Sequence, residues 1–137
     1  MTKMGLDSSV VLRLLMGEPE AQARVALRWL REARAAGMTL VVCDLVASEV
    51  YFALQHHFGV SKADALKHLS QFLTSGEVSA DGAVASVLAM PGMATAKPGF
   101  VDRLIHAHYT DGKDAGMATF ERAAQSLPGV VLLDKDL

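Results

Sequence analysis

Met4-Gly5-Leu6-Asp7-Ser8-Ser9-Val10-Val11-Leu12 opens the chain with a short apolar run that halts at an aspartate and resumes beyond two serines. Met4 to Asp7 reads as a buried strand, and Asp-Ser-Ser ahead of valine reads as the entry to a helix. That helix, Val10 to Met16, stops at Gly17, and Glu18-Pro19-Glu20 begins another with proline in its first turn. Ala23, Ala26, Leu27 and Leu30 give the second helix its apolar stripe, and Gly37 closes it. Thr39 to Cys43 is the next strand, Leu45 to Phe58 a helix ending at Gly59, and Ser61 caps a further helix carrying Ala65, Leu66, Leu69, Phe72 and Leu73. Ala83 to Met90 and Phe100 to Tyr109 are helical. Ala115 to Thr119 is a strand, Glu121 to Ser126 a helical turn, and Val130 to Leu133 the last strand. Strands separated by helices require crossover connections, which imply an α/β fold with a mostly parallel sheet covered on both faces.

With 137 residues, no internal repeat and no linker, the chain is expected to form a single domain over 1–137. Hydrophobic residues at 51% against 20% charged ones exclude disorder as a description of the whole. No stretch reaches the length of a membrane span or a signal peptide, and the one cysteine cannot form an internal disulfide, so a cytoplasmic setting is expected. Cys43 ends the run Leu40-Val41-Val42 and reads as a buried core thiol. A net charge of −2 does not favour a polyanionic partner, but local charge matters more than the total. Arg24, Arg28, Arg31 and Arg34 recur at helical spacing and read as a solvated face. Lys97, Arg103, Lys113 and Arg122 are also available.

Four carboxylates stand out. In open parallel sheets ligands bind at the carboxyl ends of strands, where Asp7 and Phe120-Glu121 fall. Asp7 is equally a good helix N-cap. Glu49 is the one charged residue in Leu45-Val46-Ala47-Ser48-Glu49-Val50-Tyr51-Phe52-Ala53-Leu54, and Asp102 sits within Phe100-Val101-Asp102-Arg103-Leu104-Ile105. Carboxylates beside apolar stripes reach solvent or need a cation, and Arg103 is an obvious partner for Asp102. Glu121, in a first helical turn, also suits the helix dipole. The histidines show no HExxH spacing. Should the acids cluster, hard oxygen ligands without a histidine–cysteine scaffold suit Mg²⁺ or Mn²⁺, which assist phosphodiester hydrolysis.

Taken in order, these segments resemble the PIN-domain family, and within it the small prokaryotic toxin ribonucleases of the VapC type. The resemblance lies in Met4 to Val11, in Val46-Ala47-Ser48-Glu49-Val50, in Gly99-Phe100-Val101-Asp102-Arg103-Leu104-Ile105-His106-Ala107, and in Met117-Ala118-Thr119-Phe120-Glu121-Arg122 with Leu127-Pro128-Gly129-Val130. It runs from about Met4 to Leu133. It implies a three-layer α/β/α sandwich and a metal-dependent endoribonuclease with Mg²⁺ or Mn²⁺ held by Asp7, Glu49, Asp102 and Glu121. Ser8, Ser9 and Thr119 would support them. Single-stranded or structured RNA is the implied substrate, and an antitoxin protein and a homodimer the implied partners. Two departures are visible: the family commonly has Asp where Glu121 stands, and Thr-Asn where Ser8-Ser9 stand.

Tyr51, Phe52, Phe58 and Phe72 lie on two consecutive helices and cannot all face one small core, so part of that set is expected to form an association surface. A non-catalytic PIN-like module binding RNA or protein is the alternative reading. A phospho-acceptor receiver domain needs an acidic pair at the first strand's end, which Leu6-Asp7-Ser8 lacks. Nucleotide-binding loops of the GxGxxG or GxxxxGK[ST] kind are absent.

Overall fold

Leu40, Val41 and Val42 are all buried, because their strand runs between two others and is covered on both faces. This strand, β2 (Thr39–Cys43), pairs in parallel with β1 (Lys3–Gly5), Met4 opposite Leu40, and with β3 (Ser79–Asp81), Val42 opposite Ala80. The three belong to the first of two units into which the chain divides, Met1–Ala85 and Ser86–Leu137. The computed structural model describes residues 2–112 and 114–133, so Lys113 lies outside the described residues. Among the described residues every strand pairing is parallel, as the α/β reading expects.

In the first unit α1 (Ser8–Met16) is entered through Asp7 and ends at Gly17, whose φ of 68° suits a residue without Cβ. Next comes α2 (Glu20–Ala35), which begins one residue later than expected: Pro19 occupies the N-cap position, and its carbonyl accepts from Ala23 N–H. Leu30 and Ala33 are its buried residues. Leu27, placed in the apolar stripe by sequence, is instead exposed. Arg24, Arg28, Arg31 and Arg34 all face solvent, as expected. Arg24 pairs with Glu20 one turn back, and Arg34 donates to the Gly76 carbonyl.

Two further helices complete the unit, α3 (Asp44–His56) and α4 (Lys62–Leu73), the latter capped where Ser61 Oγ accepts from Asp64 N–H at 3.1 Å. Helix α1 packs on α2 and α3, and α3 on α4. Val11, Leu30, Val50, Leu54 and Leu69 are almost wholly removed from water. Of the four aromatics, Tyr51 is core and burial pushes its hydroxyl pKa up. Phe58 and Phe72 are half-buried, while Phe52 is exposed beside the His56 ring. Cys43 corrects the sequence expectation. It is the last residue of β2, where the chain leaves the covered sheet, and it is exposed.

Helix α5 (Val84–Leu88) follows β3 and runs into the second unit. There α6 (Phe100–Tyr109) buries Phe100 and Leu104, and β4 (Met117–Thr119) pairs in parallel with β5 (Val130–Leu132) around a 3₁₀ turn, Arg122–Ser126. The pairing begins where two glycines meet: a Cβ on Gly116 would stand 2.5 Å from the Gly129 carbonyl oxygen. His106 Nε2–H donates to the Pro128 carbonyl at 2.6 Å and ties α6 to the start of β5. Among the described residues no helix is long and apolar enough to cross a membrane.

Candidate active site

The carboxyl edge of the three-stranded sheet gathers acids because parallel strands end on the same side. Asp7 stands two residues beyond β1, Asp44 directly beyond β2, and Asp81 ends β3. Their surroundings differ. Asp7 is exposed, and its Oδ1 accepts from Ser8 N–H at 2.7 Å, while Oδ2 accepts from Ser9 Oγ at 3.2 Å. The N-cap reading of Asp7 therefore holds. Glu49 reaches the same place from α3. Ser8 Oγ lies 3.3 Å from Asp7 Oδ1 and 3.4 Å from Glu49 Oε2. A hydroxyl has one proton, so it serves one of these oxygens at a time. Two exposed carboxylates, distant in sequence, thus share one donor.

Asp44 went unremarked in the sequence. It is half-buried, its Oδ2 accepting from Ala83 N–H at 3.0 Å and its Oδ1 from Val84 N–H at 2.9 Å. Its carboxylate is committed to holding the β3–α5 turn, and it heads the helix that carries Glu49. The only signal available was an aspartate closing the strand run Leu40 to Cys43.

In the second unit Asp102 occupies the first turn of α6 and is exposed. The ion pair with Arg103 is not formed: Arg103 Nε donates to the Pro98 carbonyl at 2.8 Å, and the one salt bridge among the described residues joins Glu20 and Arg24. Glu121 is the N-cap residue of the 3₁₀ turn, but its side chain makes no capping bond. Its backbone N–H donates to Thr119 Oγ1 at 3.0 Å, which fixes the chain direction while leaving the carboxylate exposed.

A family model described as PIN domain matches residues 4–125. The chain belongs to the PIN-domain family. The match takes in all four acids and spans both units. No curated protein and no solved structure gave a match. PIN domains are generally metal-dependent nucleases, which makes nuclease chemistry the coarse assignment for this chain.

Asp7, Glu49 and Ser8 offer oxygen donors only, the set preferred by hard divalent cations. Mg²⁺ usually keeps several waters and takes one or two carboxylates, so a pair is adequate in type and number. Among the described residues no group of three or more His, Cys, Asp or Glu is spaced to hold a metal. Within the first unit the described acids that come together are a pair, Asp7 and Glu49.

Proposed function

We propose that this PIN domain is an Mg²⁺- or Mn²⁺-dependent endoribonuclease and the toxin of a toxin–antitoxin pair. The observation that carries the nuclease reading is the Asp7–Glu49 pair on the shared Ser8 hydroxyl, at the carboxyl edge of a parallel sheet. Asp7 and Glu49 would hold the ion, and the family's order of acids would add Asp102 and Glu121 as further ligands. An ion held there would supply Lewis-acid activation of the attacking water and of the phosphodiester. Ser8 and Ser9 orient the Asp7 carboxylate, and Thr119 sets the backbone at Glu121. No side chain need act as a covalent nucleophile. The toxin role, the antitoxin and self-association rest on the VapC-type resemblance, to which exposed Phe52 adds an apolar surface.

Incubation of purified protein with labelled RNA should give cleavage that requires Mn²⁺ and stops in excess EDTA. Asp102→Asn should abolish it. Because Asp102 has no ion-pair partner among the described residues, the variant should melt no lower than wild type in EDTA and should lose most of the stabilisation that Mn²⁺ confers. A large fall in melting temperature in EDTA would mark Asp102 as structural instead. The alternative, a non-catalytic PIN-like module, draws on the Glu121 departure and the net charge of −2. It predicts RNA or protein binding with no cleavage under any metal.

Glu121 is the departure from the family pattern, and its uncapped, exposed carboxylate leaves it free to reach an ion. Its side chain is one methylene longer than aspartate, about 1–1.5 Å, whereas metal sites tolerate a few tenths of an ångström. A bridging water or the backbone must absorb the difference. Glu121→Gln should weaken the Mn²⁺ dependence and slow cleavage with little change in melting, and Glu121→Asp should match or exceed wild type. Identical Mn²⁺ titrations for all three proteins would remove Glu121 from the site.

A further inference from the structure

Helices α1 and α2 flank an open groove of about 320 Å³, lined from α1 by Ser9, Val10 and Arg13. Trp29, the chain's one tryptophan, forms one wall and is 36% exposed. Val25 and Ala26 add apolar surface, and Val25 is more than half exposed. Arg13 crosses the groove from α1: its Nε donates to Gln22 Oε1 at 2.9 Å and its NH1 to the Ser9 carbonyl at 3.3 Å. The guanidinium is thereby held in place before any ligand arrives. No carboxylate is among the described residues that line the groove. Ser9 belongs to its lining and also donates from Oγ to Asp7 Oδ2 at 3.2 Å. One residue therefore joins the groove to the site.

We propose that this groove is a nucleobase subsite, in which an unpaired base of single-stranded RNA stacks on Trp29 while Arg13 and Gln22 meet its polar edge or its phosphate. The inference rests on the ribonuclease reading and deepens it by assigning where substrate is gripped beside the hydrolytic acids. Three features select a base over another occupant. An indole face gives every base a stacking partner, and a guanidinium adds both charge and a second flat surface. Arg13 and Gln22 offer donors and acceptors that a base edge can use, whereas an aliphatic peptide side chain would cover them without compensation. The volume, at the low end for ligand pockets, is enough for one planar ring system. A base can enter only when unstacked, so duplex RNA should be refused.

The test needs no turnover. In EDTA, a short single-stranded oligoadenylate titrated into the full chain should quench Trp29 emission saturably, and a duplex of the same length should not. Followed by the anisotropy of labelled oligoadenylate, Trp29→Ala should weaken binding roughly 5- to 100-fold, the range for losing one base–aromatic stack, and Trp29→Phe should recover part of it. Gln22→Ala, on an exposed residue, gives a second variant that spares the core. Circular dichroism confirms that each variant is folded. Absent quenching, equal quenching by duplex, or unchanged affinity in both Trp29→Ala and Gln22→Ala overturns the subsite and leaves the groove to a protein partner. Mn²⁺-dependent cleavage measured alongside separates the two readings. Cleavage without quenching removes the subsite alone, and quenching without cleavage removes the nuclease alone.

Discussion

Asp7→Asn is expected to lower Mn²⁺-dependent RNA cleavage by two orders of magnitude or more while leaving the fold intact. The substitution keeps the shape of the side chain and removes its charge. Asparagine caps helices as well as aspartate does, so its carbonyl oxygen can still accept from Ser8 N–H at the start of α1. The charge next to Glu49 is lost, and with it a ligand whose worth is several kcal/mol of charge stabilisation in the reaction, about tenfold in rate for each 1.4 kcal/mol. Melting in EDTA should be unchanged or slightly raised, because two carboxylates no longer compete for the Ser8 proton. Asp7→Ala separates the two roles. It should lose the same activity and about 1 kcal/mol of stability besides, the usual cost of removing a cap. Initial rates across a Mn²⁺ titration, with thermal melts in EDTA, decide the matter. Wild-type cleavage by Asp7→Asn would reduce Asp7 to a helix cap.

The elements that periodicity and punctuation define were legible from sequence. Thr39–Cys43 and Phe100–Tyr109 fall where expected, and Gly17 and Ser61 end and begin helices as their chemistry dictates. Strand β3 was not legible. Ser79-Ala80-Asp81 has little strand propensity, and only pairing with β2 makes it extended. Cys43 and Leu27 failed for a related reason: an apolar pattern gives a residue's type of environment but not where a covered element ends. For the site, the sequence supplied the acids, whereas the sharing of Ser8 by Asp7 and Glu49 depends on how α1 packs against α3. Composition also gave no means of telling an exposed acid at a helix cap from a half-buried one with both oxygens on backbone N–H groups, as Asp7 and Asp44 show.

That last distinction carries the largest stability effect expected of a single change. Asp44→Ala should destabilise the protein by about 2–4 kcal/mol: hydrogen bonds to a charged group contribute about 1.5–3 kcal/mol each, the Ala83 and Val84 N–H groups would lose theirs together, and water at this part-buried site recovers some of the loss. For a chain of this length that is a fall of roughly 6–20 °C in melting temperature. Asn, tolerated at position 7, should fail at position 44. Asp44 accepts through both oxygens, and an amide would turn an NH₂ group toward one of the two donors. Gly82→Ala attacks the same contact from the other side. Its backbone φ of +108° strains any residue with a Cβ, and that Cβ would lie 2.7 Å from Asp44 Oδ1. In the double variant Asp44→Ala/Gly82→Ala the clash disappears and the φ strain remains, so the combined loss should be smaller than the sum of the two. Cleavage should fall too, because Asp44 starts the helix that presents Glu49. Adding Mn²⁺ should still stabilise Asp44→Ala, whose ligands are intact, and should not stabilise Asp7→Asn. A melting temperature for Asp44→Ala within a degree or so of wild type would mean that water satisfies both amides and that the turn holds without its carboxylate.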